Sequence, residues 1–344
     1  MQAKYAFISA YLKGAEAKVI TQENVTKMLR ASSFQDMLAG MANTDIGNYF
    51  DQTPAYTFGE VDRHLWRYLG TRISQLENLR FIPDDILKVL RAYVVKYDVI
   101  NMKSAALQVF TGTKAKLVAL GLINKNGLLK ELANADNFGQ IVDILYKCDL
   151  RDYATVLEGW KKEESKPEVV LSAELYSIYY KNFLSLTKGV KDSHVLMKAI
   201  GSIIDLTNLE IASRAIIEDI GMEAADSIIA DGYLLPMSNI KEMLSLKLSN
   251  LPEKVASAQY KPIIEELLNT YNKTQSILSV GEVIEKYKFY VVRDMLSPRI
   301  LSPLVVAWYL ILKETEIRNL RLIAKAIFDK LPMEEVKDYL VLTS

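Results

Sequence analysis

One apolar pattern occurs three times along this chain, and no other feature limits the possible fold as strongly. In the last copy the apolar side chains lie at Ile317, Leu320, Ala324 and Phe328, and this spacing places them on one face of an α-helix. Two earlier copies follow the same spacing at intervals of about 110 residues: Val99, Met102, Ala106 and Phe110, then Leu209, Ala212, Ile216 and Ile220. A polar residue stands directly before each copy, namely Asp98, Asn208 or Glu316. The chain is therefore expected to contain three related helical units.

Signals for the start of a helix precede each copy of the pattern. They are Pro83–Asp84, Asp192–Ser193 and Ser302–Pro303, where a capping oxygen or a proline suits the first helical turn. The sequence has no sustained two-residue alternation and no glycine-rich turn that leads into a helix. We therefore predict an all-α protein built from three homologous helical repeats, which span residues 1–110, 111–220 and 221–344.

Composition excludes several classes of partner. Lys+Arg and Asp+Glu both number 42, whereas binding to nucleic acid or to an anionic membrane surface by bulk electrostatics needs a basic excess. The longest apolar run, Leu304–Leu312, has about half the length needed to cross a bilayer. The N-terminal sequence lacks the features of a signal peptide, and a single cysteine, Cys148, fits a reducing compartment. We expect a cytoplasmic protein in which Cys148 is a buried apolar residue.

Residues suited to catalysis or metal binding are few. Glu60 and His64 lie four residues apart on a predicted helix and could share a metal ion, but no second ligand pair accompanies them. Asp84 and Asp85 follow a proline, and carboxylates are favourable at a helix N-terminus. The segment Phe110–Lys114 contains Gly, Thr and Lys without the order of a phosphate-binding loop. The residues therefore predict no catalytic group, no cofactor and no metal.

Two basic residues beside the last stripe are the clearest polar candidates. Arg318 and Arg321 lie on the polar side of the helix that carries Leu320. They could form a solvated helix face, or they could contact a partner protein. Leu320 lies on the apolar side, and we expect its side chain to be buried.

Three segments resemble a known protein family, the C subunit of the archaeal and bacterial A/V-type ATPases, which is the counterpart of the d subunit in the eukaryotic vacuolar enzyme. The segments are Tyr97–Lys103, Asp205–Leu209 and Lys313–Arg321, the last followed by Pro332. The resemblance extends over nearly the whole chain. In the middle copy, however, Ile211 and Ser213 occupy the positions at which the outer copies carry an asparagine and a basic residue, Asn101 and Lys103 in the first copy and Asn319 and Arg321 in the last.

The resemblance implies a closed, pseudo-threefold, funnel-shaped helical protein without catalytic activity. In this family the protein sits on the cytoplasmic face of the membrane proteolipid ring and receives the D and F subunits of the central stalk. The implied role is to transmit torque for proton or sodium transport coupled to ATP synthesis or hydrolysis, without a nucleic acid or small-molecule substrate. The candidate partner contacts are Asp98, Lys103, Glu316, Arg318 and Arg321.

Two other hypotheses remain open at the level of sequence. The chain could be a free-standing cytoplasmic scaffold that joins other proteins through its helical surfaces. It could also be an α-helical enzyme that binds a metal through carboxylates, although two histidines and scattered carboxylates predict no stoichiometric metal.

Overall fold

The computed structural model describes residues 3–51, 55–80, 82–160, 168–255 and 257–342. Within these ranges all regular secondary structure is helical, which confirms the predicted all-α class. The helices before residue 112 are α1 (Ala6–Glu16), α2 (Gln22–Met28), α3 (Phe34–Gly40), α4 (Asp45–Phe50), α5 (Phe58–Glu77) and α6 (Asp84–Thr111). Those up to residue 217 are α7 (Gly121–Lys125), α8 (Leu129–Ala133), α9 (Phe138–Lys147), α10 (Arg151–Trp160), α11 (Glu168–Thr187) and α12 (Ser193–Ile217). The last are α13 (Met237–Met243), α14 (Leu251–Lys254), α15 (Lys261–Thr274), α16 (Ile277–Leu296), α17 (Leu304–Asp329) and α18 (Met333–Lys337). Short 3₁₀ helices cover Ala3–Tyr5, Gly221–Ser227 and Leu248–Asn250.

The three apolar stripes lie on the three longest helices. Helices α6, α12 and α17 contain 28, 25 and 26 residues, and each begins within two residues of its predicted start signal. Leu320 is fully buried, as expected. Ile220 lies beyond the end of α12, so the second stripe is shorter than the sequence indicated. Within the residues that the structure describes, no helix is long and apolar enough to cross a membrane.

Contacts divide the chain into two compact units. The first contains Met1–Leu90, Val190–Asp192 and Arg293–Ser344, and the second contains Arg91–Gly189 and Ser193–Val292. In the first unit α5 packs along α17, which also contacts α1 and α3. In the second unit α9 pairs with α10, and α11 packs against α12. The division into three sequence repeats and the pseudo-threefold funnel stay predictions.

Candidate functional site: an acid and asparagine pair repeated on the long helices

A buried asparagine on α6 binds both backbone polar groups of one residue, Val118. The backbone N–H of Val118 donates to Asn101 Oδ1 at 2.7 Å, and Asn101 Nδ2 donates to the carbonyl oxygen of Val118 at 2.9 Å. An asparagine side chain suits this role because it carries one donor group and one acceptor group side by side. Asn101 therefore holds the chain that returns after α6 against the side of the helix.

An acidic residue three positions earlier, on the same face of α6, fixes the next part of that segment. The Asp98 carboxylate accepts the backbone N–H groups of Leu122 at 2.7 Å and Ile123 at 2.9 Å. Gly121 passes so close that a Cβ atom there would overlap this carboxylate. Burial raises the pKa of Asp98 to about 7, against the opposing effect of the two amide hydrogen bonds. Asp98 is therefore an internal anchor for the start of α7.

Helix α12 repeats the arrangement. Asn208 Oδ1 accepts the N–H of Ile229 at 2.9 Å, and its Nδ2 donates to the carbonyl oxygen of Ile229 at 2.8 Å. Asp205 accepts the N–H groups of Tyr233 at 3.1 Å and Leu234 at 2.6 Å. A Cβ atom at Gly232, the residue before these amides, would overlap the Asp205 carboxylate. Burial also raises the pKa of Asp205, whose carboxylate accepts a further hydrogen bond from a tyrosine hydroxyl.

Helix α17 has the same pair with a different set of partners. Asn319 Oδ1 accepts the N–H of Val341 at 3.0 Å, and its Nδ2 donates to the carbonyl oxygen of Val341 at 2.6 Å. Glu316 accepts one backbone N–H, that of Ile20, at 2.7 Å. Its second oxygen accepts from Lys313 Nζ at 2.9 Å. Both Lys313 and Glu316 are buried, so this is a paired charge inside the first unit.

These hydrogen bonds correct the register of the middle repeat. Asn208 performs the role of Asn101 and Asn319, so the corresponding position is not Ile211. The expectation that the middle copy lacks this asparagine was wrong by three residues. A shift of three positions is close to one helical turn, so it leaves an apolar stripe on the same face and the stripe cannot reveal it.

The predicted partner residues fall into two groups. Asp98 and Lys103 belong to the second unit, and Glu316, Arg318 and Arg321 belong to the first. Asp98 and Glu316 are buried and bind backbone segments. They would therefore affect a partner only indirectly, by positioning those segments.

The basic candidates are more accessible. Lys103 is half-buried. Arg318 donates to the carbonyl oxygen of Tyr339 at 2.9 Å. Arg321 pairs with Asp62 and lies over the Trp66 ring, 5.2 Å from its centroid. Their roles in partner binding stay predictions.

The structure also places the residues considered for other chemistry. The Glu60 carboxylate accepts the backbone N–H of Thr57 in a capping box at the start of α5. Asp85 accepts from the Tyr5 hydroxyl and from Lys4. Cys148 is buried, and burial raises the pKa of its thiol. No group of three or more His, Cys, Asp or Glu side chains suited to a metal ion occurs in the part of the chain that the structure describes.

Sequence reasoning missed the roles of Asp205, Asn208 and Lys313. A signal was present, because an acid followed three residues later by asparagine occurs on all three long helices. The role of this pair depends on which segments return to the helices, and the spacing of residues within a helix does not specify those segments.

Comparisons with known proteins agree with the resemblance predicted from the sequence. A family model described as ATP synthase (C/AC39) subunit matches residues 8–339. The A-type ATP synthase C subunit of Methanocaldococcus jannaschii is 24% identical, over 98% of this chain and 86% of the relative. The proteins of the same name from Pyrococcus abyssi and Methanosphaera stadtmanae are each 23% identical, over 97% and 98% of this chain and 89% and 88% of the relatives. The chain belongs to the ATP synthase (C/AC39) subunit family.

Proposed function

We propose that this chain is a non-catalytic rotor subunit of an A/V-type rotary ATPase. In this role it forms a socket between the central stalk, with its D and F subunits, and the membrane proteolipid ring. The observation that carries the proposal is the family match over residues 8–339, together with relatives named as the C subunit of A-type ATP synthases that align with nearly the whole chain. The proposed place is peripheral, at the cytoplasmic face of the membrane.

The internal chemistry supports a mechanical role. Two acidic groups stand out in the sequence of the long helices, Asp98 and Glu316. Both accept hydrogen bonds from backbone N–H groups within the protein. Each long helix also holds the backbone N–H and C=O of one residue on a returning segment. Such buried bonds are costly to leave unmade, so they resist the sliding of these segments along the helices. This property suits a part that transmits torque.

The first test is ion pumping by the reconstituted complex with and without this chain. ATP hydrolysis by the soluble catalytic head is measured alongside pumping. We expect hydrolysis to continue without the chain while ATP-driven pumping stops, and pumping to return when the chain is added back. Pumping that is unaffected by the omission would overturn the rotor role and favour a free-standing scaffold.

A further inference from the structure

The acidic anchor of α17 takes its backbone partner from the opposite end of the chain. On α6 and α12 the first amide bound by the acid lies four residues after the residue bound by the asparagine, Leu122 after Val118 and Tyr233 after Ile229. On α17 the acid binds the N–H of Ile20, which is 296 residues away. The chain downstream of α17 therefore does not supply the anchored segment in the third case.

The segment that begins at Ile20 leads into three short helices and then a long one, and the other two anchored segments lead into four or three short helices and then a long one. Residues bound by Asp98 lead into the short helices α7–α10 and then α11, and those bound by Asp205 lead into α13–α15 and then α16. Ile20 leads into α2–α4 and then α5. Helices α5, α11 and α16 each contain 20 residues. The N-terminal helices α2–α5 thus follow the order of the elements that come after the other two anchored segments.

Packing places these N-terminal helices on α17. Helix α5 makes the most extensive contact with α17, and α3 also touches it. Thr21 caps α2 through a capping box with Asn24, directly after the anchored Ile20. The start of this segment is therefore fixed on both sides, by Glu316 before the helix and by the cap at its first turn.

A cavity of about 10 Å³ marks the point where three parts of the first unit converge. Its walls come from residues 19–25, from α17 and from the segment bound by Asn319, and they include Ile20, Glu316, Asn319 and Val341. This volume has room for about one water molecule. The N-terminal segment and the segment after α18 therefore meet at the acid and asparagine pair, as consecutive parts of one segment do on α6 and α12.

We propose that the repeats of the folded protein are circularly permuted relative to the sequence. The third repeat consists of α17, α18 and the N-terminal residues 19–77, and the Lys313–Glu316 pair is the clasp that holds those residues in place. Lys313 binds the second oxygen of the Glu316 carboxylate, where Asp98 and Asp205 accept a second backbone amide, and it neutralises this buried carboxylate. This inference does not depend on the proposed rotor function.

Hydrogen exchange of the full-length protein, followed by mass spectrometry of peptides, tests the clasp. The main variant is Lys313→Met with Glu316→Leu, which removes both charges without leaving one buried and unpaired. We expect amide exchange in residues 17–50 to become at least about tenfold faster, since the bond to a charged acceptor is lost. Exchange in residues 338–342, which Asn319 holds, should change little.

The matched control is Asp98→Leu, which removes the corresponding anchor on α6. It should speed exchange in residues 119–126 and leave residues 17–50 unchanged. Lys313→Met with Glu316→Gln is a milder second variant, which also removes both charges but keeps an oxygen acceptor for Ile20, and it should speed exchange in residues 17–50 to a smaller extent. Unchanged exchange in residues 17–50, or an equal rise throughout both units, would overturn the proposal.

Discussion

At the scale of single residues, the buried polar groups explain why the long helices are not uniformly apolar. A buried peptide group that lacks a partner is costly. The asparagine and acid on each helix supply acceptors and donors for segments that run beside it rather than within it. A leucine at Asn319 would fill the space but would leave the N–H and C=O of Val341 unpaired. These positions are therefore polar because their side chains pair backbone groups that would otherwise be buried without a partner.

The buried carboxyl group of Asp98 predicts a dependence of stability on pH. Its pKa is raised from 3.8 to about 7 by burial, so the folded protein favours the protonated form. The contribution of Asp98 to stability is then complete below pH 4 and is lost as the pH rises through 7. The neighbouring titratable groups, the Cys148 thiol and the Tyr153 hydroxyl, have raised pKa values and stay neutral in this range.

Urea unfolding at pH 4, 5.5 and 7 measures this effect. We expect the free energy of unfolding of the wild-type protein to fall over this range by up to a few kcal/mol relative to Asp98→Asn. Asp143→Asn, at an exposed position, is the control and should follow the wild type. If the free energies of unfolding of Asp98→Asn and the wild type change equally with pH, the prediction is wrong. The two amide hydrogen bonds would then compensate the burial of the carboxylate.

At the scale of elements, the apolar face of α17 is the main support of the first unit. Ile317, Leu320 and Ala324 are fully buried, and α5 packs along this helix. The polar side of α17 is held by Arg318 and Arg321, which contact the segment after α18 and the side of α5. Both faces of the helix therefore serve the packing of the unit.

Leu320→Ala should destabilise the protein through the core. Removal of a fully buried leucine side chain leaves a cavity, and we expect a loss of about 2–5 kcal/mol in the free energy of unfolding. Leu278→Ala is the matched control, since Leu278 is 77% exposed on α16, and its effect should stay within about 0.5 kcal/mol. Denaturant titration of both variants makes the comparison, and equal midpoints would contradict the burial of Leu320.

At the scale of the whole molecule, residues from both ends of the chain form one compact unit. Its contacts join α1, α3 and α5 to α17, and the Glu316 anchor joins Ile20 to the same helix. A surface on this unit therefore depends on distant parts of the sequence. Partner binding by this unit has to be tested together with its internal contacts.

Variants of the Arg321–Asp62 pair distinguish a role in partner binding from a role in internal packing. We expect Arg321→Glu to weaken attachment of the chain to the stalk and proteolipid ring, measured by co-sedimentation with the reconstituted complex. The exchanged variant, Arg321→Asp with Asp62→Arg, restores an internal pair but not a basic group on α17, so attachment should stay weak. Both side chains are partly exposed, at 40% and 27%, so the pair contributes no more than about 1 kcal/mol to stability. Attachment that recovers in the exchanged variant would assign Arg321 a purely internal role.

The sequence by itself determined the helical class, the starts of the three long helices and the family. These properties reside in local signals: apolar spacing places a stripe on one face, and prolines and capping residues at 83–84, 192–193 and 302–303 favour the first turn of a helix. The burial of Leu320 follows from the same stripe. Local spacing specifies such features because their causes lie within a few residues of each other.

Only the tertiary structure decided the register of the middle repeat and the partners of the buried acids. Asn208 and Ile211 both lie close to the stripe on α12, and only the return of Ile229 to Asn208 distinguishes them. Glu316 could have bound any nearby amide, and the path of the chain brought Ile20 to it from 296 residues away. Hydrogen bonds between segments depend on where the packed helices leave an amide unpaired, and that position exists only once the core has formed.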